Sequence, residues 1–320
     1  MARMNLLPLM MVLAMLLSAC DRLSELLEPV GEPKTAQADP RSNDESERPT
    51  RFQPGMRAPV PKSTCRQEEG WHYCVHQYSG NNRTILYYVH SYTDSHYGWM
   101  KGYTADATTH LYQLQAILGE NSPTVVVISY VHRLQDSWML SASEQKTLPP
   151  ELATVRHFTA VAMPLVEERF NLHGPRIVYG FSMGGFNAAQ LCLNTPELWS
   201  KCIIQNALLV LCDPYSLPEW TRYFCLPGFL IRKQFTEEEW RENDPIYQVE
   251  NMNDASHLPE ILVTNARRDQ FNLFEAGRHF AVQLEGRGAR VKWHPINGEH
   301  SDFDVEAVAA FIMSESERDQ

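Results

Sequence analysis

The sequence predicts an α/β fold, a doubly wound and mostly parallel sheet with helices on both faces. Short runs of β-branched, aromatic and other apolar residues alternate along the chain with segments of helical periodicity, as in successive βαβ units. One of these runs, residues 124–129 (TVVVIS), is apolar along its length, as strands covered on both faces are. The chain has 320 residues and no internal repeat, so one domain behind an N-terminal tail is the simplest organisation.

The predicted elements begin at residue 84. Residues 84–89 (TILYYV) have the β-branched and aromatic composition of a strand. Residues 150–172 carry apolar side chains near the helical period after a pair of prolines, and a short apolar strand, residues 177–179, follows. The other predicted strands are residues 124–129, 202–209, 261–264 and 291–295, and the other predicted helices are residues 186–193, 274–284 and 305–313.

Residues 213–253 fit no strand–helix unit. Their aromatic residues are Trp220, Tyr223, Phe224, Phe229, Phe235 and Trp240. We interpret this stretch as an insertion over the C-terminal edge of the sheet. It is either a lid over an acyl or aryl pocket or a packed surface layer, because aromatic side chains commonly serve packing.

Composition and charge narrow the function classes. The chain is 43% apolar and 21% charged, which is ordinary for a globular protein. Its formal net charge of -11 argues against nucleic acid as a partner, because binding phosphates needs a basic face. The twelve histidines lack the spacing of a metal site, and we expect neither a metal nor a cofactor.

Residues 1–19 have the features of a signal peptide. Arg3 is followed by an apolar run, residues 6–17, which is shorter than the about 20 residues that span a bilayer. Residues 17–20 (LSAC) resemble the lipobox of bacterial lipoproteins, which implies that Cys20 is acylated and begins the mature protein. An ordinary signal peptide with an incidental cysteine is the alternative. Asp21 resembles the inner-membrane retention signal of some enterobacterial lipoproteins.

Residues 20–55 are expected to be the lipidated cysteine and a flexible tether. The stretch is rich in Glu, Asp, Pro, Ser and Arg, and it cannot bury enough apolar surface to fold alone. The folded domain would then span residues 56–320. Together with the lipobox, this arrangement implies a periplasm-facing protein anchored by lipid in the bacterial cell envelope, with the inner membrane favoured by Asp21.

The remaining six cysteines suggest disulfides, because an even number in an exported chain is typical of them. They are Cys65, Cys74, Cys192, Cys202, Cys212 and Cys225. We expect cysteines that are neighbours in the sequence to pair, most firmly Cys65 with Cys74 across a plausible hairpin turn. Buried free thiols are the alternative. No C-x-x-C pair is present, so the spacing is not that of a zinc site.

Residues 180–184 (GFSMG) match G-x-S-x-G, in which the serine occupies a sharp turn from a strand into a helix. A side chain at either flanking glycine would collide with neighbouring backbone. The N-terminus of the following helix favours developing negative charge. Because the motif lies between a predicted strand and a predicted helix, we assign Ser182 as the nucleophile. A tight glycine turn with an idle serine is the alternative.

The order expected for this motif is serine, then acid, then histidine. Asp269 follows the predicted strand 261–264, and His300 lies in a glycine-containing loop between the last strand and the last helix. Both positions follow the C-terminal ends of strands, where open α/β sheets bind their ligands. The sequence therefore predicts a Ser182–His300–Asp269 triad for acyl transfer.

Rival acids and bases are less well placed. His294 lies inside a predicted strand, and Glu299 adjoins His300 but cannot easily turn back to its ring. Asp302 and Asp304 come after the histidine, and Asp244 and Asp254 precede the strand.

From Tyr87 to its end, the chain resembles the esterase D group of α/β-hydrolases, which includes S-formylglutathione hydrolases and several carbohydrate and polyester esterases. The matching segments are residues 87–93 (YYVHSYT), 179–190 (YGFSMGGFNAAQ) and 286–300 (GRGARVKWHPINGEH). The resemblance implies that the backbone amides of Met183 and Tyr92 form the oxyanion hole. The chain departs from the group at Ser91, where glycine is frequent, and at Asn265 and Ala266, where the group usually has glycine before the acid.

These features predict a carboxylic ester hydrolase that acts on a small-molecule or polymer ester. Acyl transfer to another alcohol or amine uses the same triad and differs in whether the pocket excludes water. Peptide hydrolysis is a further alternative, because peptidases share the motif. The non-enzymatic alternative is a membrane-tethered binding protein with a hydrolase fold, since fold does not dictate function.

Overall fold

The computed structural model describes residues 61–68, 71–80, 82–91, 110–130, 155–209, 237–269, 271 and 273–315. All of them belong to one of the two units into which the chain divides, Arg48–Gln320. The signal peptide, Cys20, Asp21, the tether, Tyr92, Cys212 and Cys225 lie outside the described residues.

The described part of the chain forms one eight-stranded sheet in the order β1-β2-β4-β3-β5-β6-β7-β8. Strand β2 pairs antiparallel with both of its neighbours, β1 and β4, and all the other pairs are parallel. The strands are β1 Lys62–Glu68, β2 Trp71–Gln77, β3 Ile85–Val89, β4 Thr124–Tyr130, β5 Arg176–Phe181, β6 Lys201–Gln205, β7 Glu260–Ala266 and β8 Val291–Ile296.

Helices follow most of the parallel strands. We use α2 for three consecutive helical segments, Val155–His157, the π-helical Phe158–Ala162 and Met163–Phe170. The other helices are α1 His110–Leu118, α3 Met183–Asn194, α4 Glu237–Glu242, α5 Pro245–Glu250, α6 Phe274–Gly286 and α7 Val305–Met313. Short 3₁₀ turns occupy Gly119–Asn121 and Pro196–Leu198. None of the helices in these ranges has both the length and the apolar character needed to cross a membrane.

Apolar side chains cover both faces of the sheet. Along β3, Ile85, Tyr87 and Val89 belong to one core cluster, while Leu86 and Tyr88 belong to the other, as the period of two in a strand requires. The first cluster includes residues of α2, α3, α5 and α6, and the second includes residues of α1 and α7. Because helices pack on both faces, the central strands are apolar over most of their length, and the predicted α/β fold is confirmed.

The strands and helices predicted from residue 84 onward are all present, with shifted ends. Strand β6 stops at Gln205 rather than at residue 209, because Asn206 adopts a left-handed backbone with φ of 43°. The structure adds β1, β2, α1, α4 and α5, which the sequence analysis did not predict. In the predicted insertion 213–253, the described end carries α4 and α5, and α5 contributes Ile246 and Val249 to the first core cluster.

The cysteine predictions have mixed outcomes. Cys65 and Cys74 are joined in a disulfide, and they face each other directly in the β1–β2 register. The expected pairing of Cys192 with Cys202 is wrong, because both are buried thiols that form no disulfide. Cys192 lies on α3 and Cys202 on β6, where each packs among apolar residues of the first core cluster. Nearness in sequence says nothing about whether a helix and a strand direct two side chains at each other.

Candidate active site

Ser182 lies at the junction of β5 and α3, with φ of 57° and ψ of -118°. A non-glycine residue rarely adopts positive φ, so the turn must be held by its surroundings. Close backbone packing supplies that support. A Cβ atom at Gly180 would overlap the carbonyl oxygen of Gly184, and one at Gly184 would overlap the carbonyl oxygen of Val89. Glycine is therefore required at both positions of the motif, because any side chain there would overlap neighbouring backbone atoms.

His300 follows β8, and its ring is almost entirely buried. Its Nε2 lies 3.0 Å from Ser182 Oγ, which is hydrogen-bond distance. The rings of Phe181 and Phe271 contact the imidazole, with centroids 5.0 Å and 4.8 Å from that of the imidazole ring. The imidazole thus reaches the hydroxyl from a mostly apolar setting.

Asp269 follows β7, and its side chain is fully buried. Its Oδ2 lies 2.7 Å from Nδ1 of His300, and its Oδ1 accepts a 2.7 Å hydrogen bond from the backbone N–H of Phe271. Because both carboxylate oxygens have partners, the carboxylate is fixed in one orientation. In that orientation Nδ1 carries the proton, and Nε2 is left to accept the proton of the serine.

The rival residues have other partners. Nε2 of His294 lies 2.8 Å from Asp304, whose other oxygen accepts the N–H of Ala307 at the start of α7. Burial alone would raise the pKa of Asp304, but the hydrogen bonds from Ala307 and His294 outweigh burial and lower it. Asp302 accepts the backbone N–H of Glu299 within the His300 loop.

The two earlier aspartates are also used locally. Asp244 accepts the N–H groups of Ile246 and Tyr247 and so caps α5. Asp254 accepts the backbone N–H and the hydroxyl of Ser256, and these bonds hold the pKa of its carboxyl below the ordinary value.

Ser182 immediately precedes α3, so the N-terminus of this helix lies beside the serine. Met183 is the first residue of the helix, so its N–H is among the amides that a helix leaves without an intrahelical acceptor. Together with the helix dipole, such amides favour negative charge beside Ser182. Tyr92, the other expected oxyanion donor, lies outside the described residues, whereas the preceding Ser91 is buried.

Three residues at the site were not found by sequence reasoning. Phe271 contacts His300, Gln205 ends β6, and Asn206 directly follows that strand and donates to the carbonyl of His300. Gln205 and Asn206 are two adjacent polar residues inside the otherwise apolar run CIIQNALLVL. This interruption was the sequence feature that could have indicated their place at the site. Phe271 follows Asp269 by two positions and gave no signal of its own.

Comparison with known proteins identifies the family. The model of the family described as "Putative esterase" matches residues 77–309. The chain belongs to the esterase family. As a member of that family it is a carboxylic ester hydrolase, which confirms the enzyme class that the sequence predicted. No curated protein matches the chain.

Solved structures support the fold. A ferulic acid esterase superposes with a TM-score of 0.57 at 13% identity, covering 80% of this chain and 96% of that one. The S-formylglutathione hydrolase of Agrobacterium tumefaciens gives 0.53 at 15% identity, covering 78% and 90%. The fluorophosphonate-binding serine hydrolase F of Staphylococcus aureus gives 0.52 at 12% identity, covering 79% and 98%. At these identities the likeness is one of fold.

Proposed function

We propose that this esterase hydrolyses its substrate with Ser182 as nucleophile, His300 as general base and acid, and Asp269 as the residue that orients the imidazole. The observation that carries the proposal is the continuous hydrogen-bonded series from Asp269 through His300 to Ser182. These residues come from the C-terminal ends of β7, β8 and β5, so distant segments of sequence converge on one point.

The geometry supports acylation in two proton transfers. Ser182 Oγ attacks the ester carbonyl carbon while Nε2 of His300 takes the hydroxyl proton. Negative charge then develops on the carbonyl oxygen, where the N–H of Met183 and the start of α3 stabilise it. The carbon–oxygen bond to the alcohol breaks, and His300 returns the proton to the departing alcohol. The acyl group stays on Ser182.

Deacylation repeats these steps with water as nucleophile. His300 takes a proton from the water as it attacks the acyl carbonyl, and the proton returns to Ser182 when the carboxylic acid leaves. Asp269 lies against Nδ1 throughout, where it fixes the tautomer and favours the imidazolium that forms at each step. Because Asp269 is buried, its charge acts on the ring with little screening by water.

The proposed substrate is a small-molecule ester with an apolar acyl or alcohol part. Phe271 is exposed beside His300, so a bound ester would meet an aromatic surface next to the general base. The similar structures include a ferulic acid esterase and an S-formylglutathione hydrolase, which supports small carbonyl substrates as the first to be tested. Turnover of a polyester rather than of soluble esters would indicate the polymer alternative.

We place this reaction at the periplasmic side of a bacterial membrane, with the enzyme attached through acylated Cys20. Residues 17–20 support the placement by their resemblance to a lipobox. The Cys65–Cys74 disulfide supports it independently, because disulfides are formed and kept in exported proteins.

The triad is tested with a fluorophosphonate probe and a series of p-nitrophenyl esters of increasing acyl length. We expect the probe to label Ser182, and Ser182→Ala to abolish both labelling and turnover without unfolding the protein. His300→Ala should lose comparable activity, because the two residues act as a unit. Asp269→Asn should lose about four orders of magnitude, as in serine proteases, because it favours the wrong tautomer.

His294→Ala is the matched control, since it removes the histidine of β8 that pairs with Asp304 rather than with the serine. Near wild-type turnover by Asp269→Asn would require another acid, and Asp302 would be tested next. If the folded protein neither reacts with the probe nor cleaves esters, the result would favour a binding protein over an enzyme. Formation of a new ester when an alcohol is added would favour acyl transfer.

A further inference from the structure

The end of β6 contributes no member of the proposed triad, yet it contacts the segments that carry all three. The backbone carbonyl of Gln205 accepts the N–H of Ser182 at 3.0 Å. The backbone N–H of the next residue, Asn206, donates to Thr264 at 2.8 Å, within β7. Residues 205 and 206 therefore lie between the nucleophile turn and the strand that leads to Asp269.

The side-chain amide of Asn206 joins the other two segments. Its Oδ1 accepts the backbone N–H of Ala266 at 2.7 Å, three positions before Asp269. Its Nδ2 donates to the backbone carbonyl of His300 at 2.5 Å and, at 3.3 Å, to that of Asp302. One planar amide thus fixes the acid-bearing segment and the base-bearing loop relative to each other.

Gln205 adds a second link to the same loop. Its Nε2 donates to the carbonyl of Asp302 at 3.2 Å, and its Oε1 accepts the hydroxyl of Tyr179 on β5. Tyr179 is fully buried and stacks on Phe303, which also belongs to the His300 loop. The loop is therefore held from two strands, by a partly buried hydrogen bond from Gln205 and by the stacking of Tyr179 on Phe303.

Asn206 is fully buried and has a left-handed backbone, with φ of 43°. In the described part of the chain, the other non-glycine residues with positive φ are Asn171 and Ser182. Asparagine adopts this conformation more readily than most residues, and its side chain here satisfies the buried N–H of Ala266 and the buried carbonyl of His300, with a longer, partly buried bond to Asp302. Both the backbone and the amide of Asn206 are thus used to shape the site.

We infer that Asn206 is a positioning residue that sets the place of His300 relative to Asp269 and Ser182. The inference rests on the proposed triad and goes beyond it, because Asn206 touches no reacting atom. Without the amide, the carbonyl of His300 and the N–H of Ala266 would lose their partners, and the loop would shift to find others. Misplacement of a catalytic group by about 1 Å can cost about a hundredfold in rate.

The test compares Asn206→Gly with Asn171→Gly. Glycine keeps the left-handed backbone at both positions, so each variant loses an asparagine side chain without new strain. Asn171 follows α2 and precedes the N-terminal end of β5, whereas Ser182 follows the C-terminal end of that strand, and the amide of Asn171 contacts the exposed His173. A second variant, Asn206→Asp, keeps the acceptor for Ala266 but removes the donor to His300. Turnover of p-nitrophenyl acetate, the rate of fluorophosphonate labelling and the melting temperature are measured for each protein.

For Asn206→Gly we expect kcat and the labelling rate to fall together by about tenfold to a hundredfold, while KM changes by less than about threefold. Asn206→Asp should lose at least as much, and Asn171→Gly should keep the wild-type kcat. The inference is overturned if whichever Asn206 variant folds keeps kcat within about twofold, or if KM alone changes. It is also overturned if Asn171→Gly loses as much kcat for the same loss of melting temperature. Wild-type protein without Ser182-dependent turnover would instead overturn the proposed function itself.

Discussion

At the scale of the residue, the proposed nucleophile Ser182 has a strained backbone and neighbours that leave it little freedom. Positive φ at Ser182 costs on the order of 1–3 kcal/mol in an unconstrained chain. Two contacts hold the conformation: the N–H of Ser182 donates to Gln205, and its carbonyl accepts the N–H of Phe186 in the first turn of α3. The strain is thus offset by bonds within the sheet and the helix, and the hydroxyl stays directed at His300.

Phe271 offers a prediction about substrate preference. Its ring is 61% exposed and lies edge-on to His300, while its N–H donates to Asp269. Phe271→Ala keeps that backbone donor and removes only the apolar surface. We expect kcat/KM for p-nitrophenyl octanoate to fall about tenfold, the equivalent of about 1.4 kcal/mol of lost apolar contact, and the value for the acetate to change little.

The control for Phe271 is Val282→Ala, an apolar residue that is 50% exposed and lies in the second half of α6. Both substitutions lie at the surface, so neither should alter the free energy of unfolding by more than about 0.5 kcal/mol. Equal losses for octanoate and acetate would mean that the substrate does not lie on this ring.

The residues of the site differ in how well sequence could predict them. The glycines around Ser182 reflect backbone contacts that recur wherever this turn is used, so the motif, in its strand–helix context, predicted Ser182 as the nucleophile. The order of strands then placed Asp269 and His300 at C-terminal strand ends, and the structure brings His300 to the serine and Asp269 to His300. Asn206 could not be assigned in this way, because its role depends on carbonyl groups that lie far away in sequence.

At the scale of the element, sequence predicted strands and helices where burial imposes a pattern. Strand β1 is mostly exposed, so it lacks an apolar alternation, and pairing with β2 is what makes it a strand. Helix α1 has nine residues, too few for periodicity alone to distinguish it from an apolar loop. The spacing of Cys65 and Cys74 did predict their contact, because two strands joined by a short turn bring such positions opposite each other.

The β1–β2 hairpin should make the domain sensitive to acid. His76 on β2 is fully buried, and its Nδ1 lies 2.8 Å from the hydroxyl of its cross-strand partner Ser63. Burial lowers the pKa of His76 from 6.5 to about 4. Below pH 6.5 the unfolded chain therefore binds a proton that the folded chain excludes, and stability falls as the pH drops toward about 4. Burial also lowers the pKa of His72 on the same strand, which acts in the same direction.

The expected loss from His76 is on the order of 3 kcal/mol across this range of pH. Urea unfolding at several pH values would measure it for the wild type, for His76→Leu and for His173→Gln as an exposed control. The free energy of unfolding of His76→Leu should depend less steeply on pH, and that of His173→Gln should follow the wild type. If His76→Leu loses as much stability in acid as the wild type, the acid sensitivity comes from groups other than His76.

At the scale of the whole molecule, burial of the sheet on both faces fixes which edge is available for chemistry. Core clusters cover the two faces, and the parallel strands all direct their C-terminal ends to the same edge. Loops that follow β5, β7 and β8 must therefore converge there, whatever their separation in sequence. This is why the general architecture and the proximity of Ser182, His300 and Asp269 could be predicted together. Cavity shape and substrate fit depend on side chains in these loops, which no periodic pattern encodes.

The attachment of the domain to a membrane is the last prediction. With a formal net charge of -11, the chain as a whole is not attracted to anionic lipid, so we expect stable attachment to come from acyl groups on Cys20 rather than from electrostatic attraction. In a bacterial host, the full chain should incorporate a labelled palmitate analogue and stay with the membrane fraction after a high-salt wash, because salt screens charges but not lipid insertion. Cys20→Ser should lose the label and leave the membrane fraction. Asp21→Ser is the matched control: it alters the adjacent residue but keeps the acyl acceptor, so the protein should stay lipid-bound, and only its distribution between inner and outer membrane should change. A Cys20→Ser protein that still sediments with membranes after the wash would show that another segment makes the attachment.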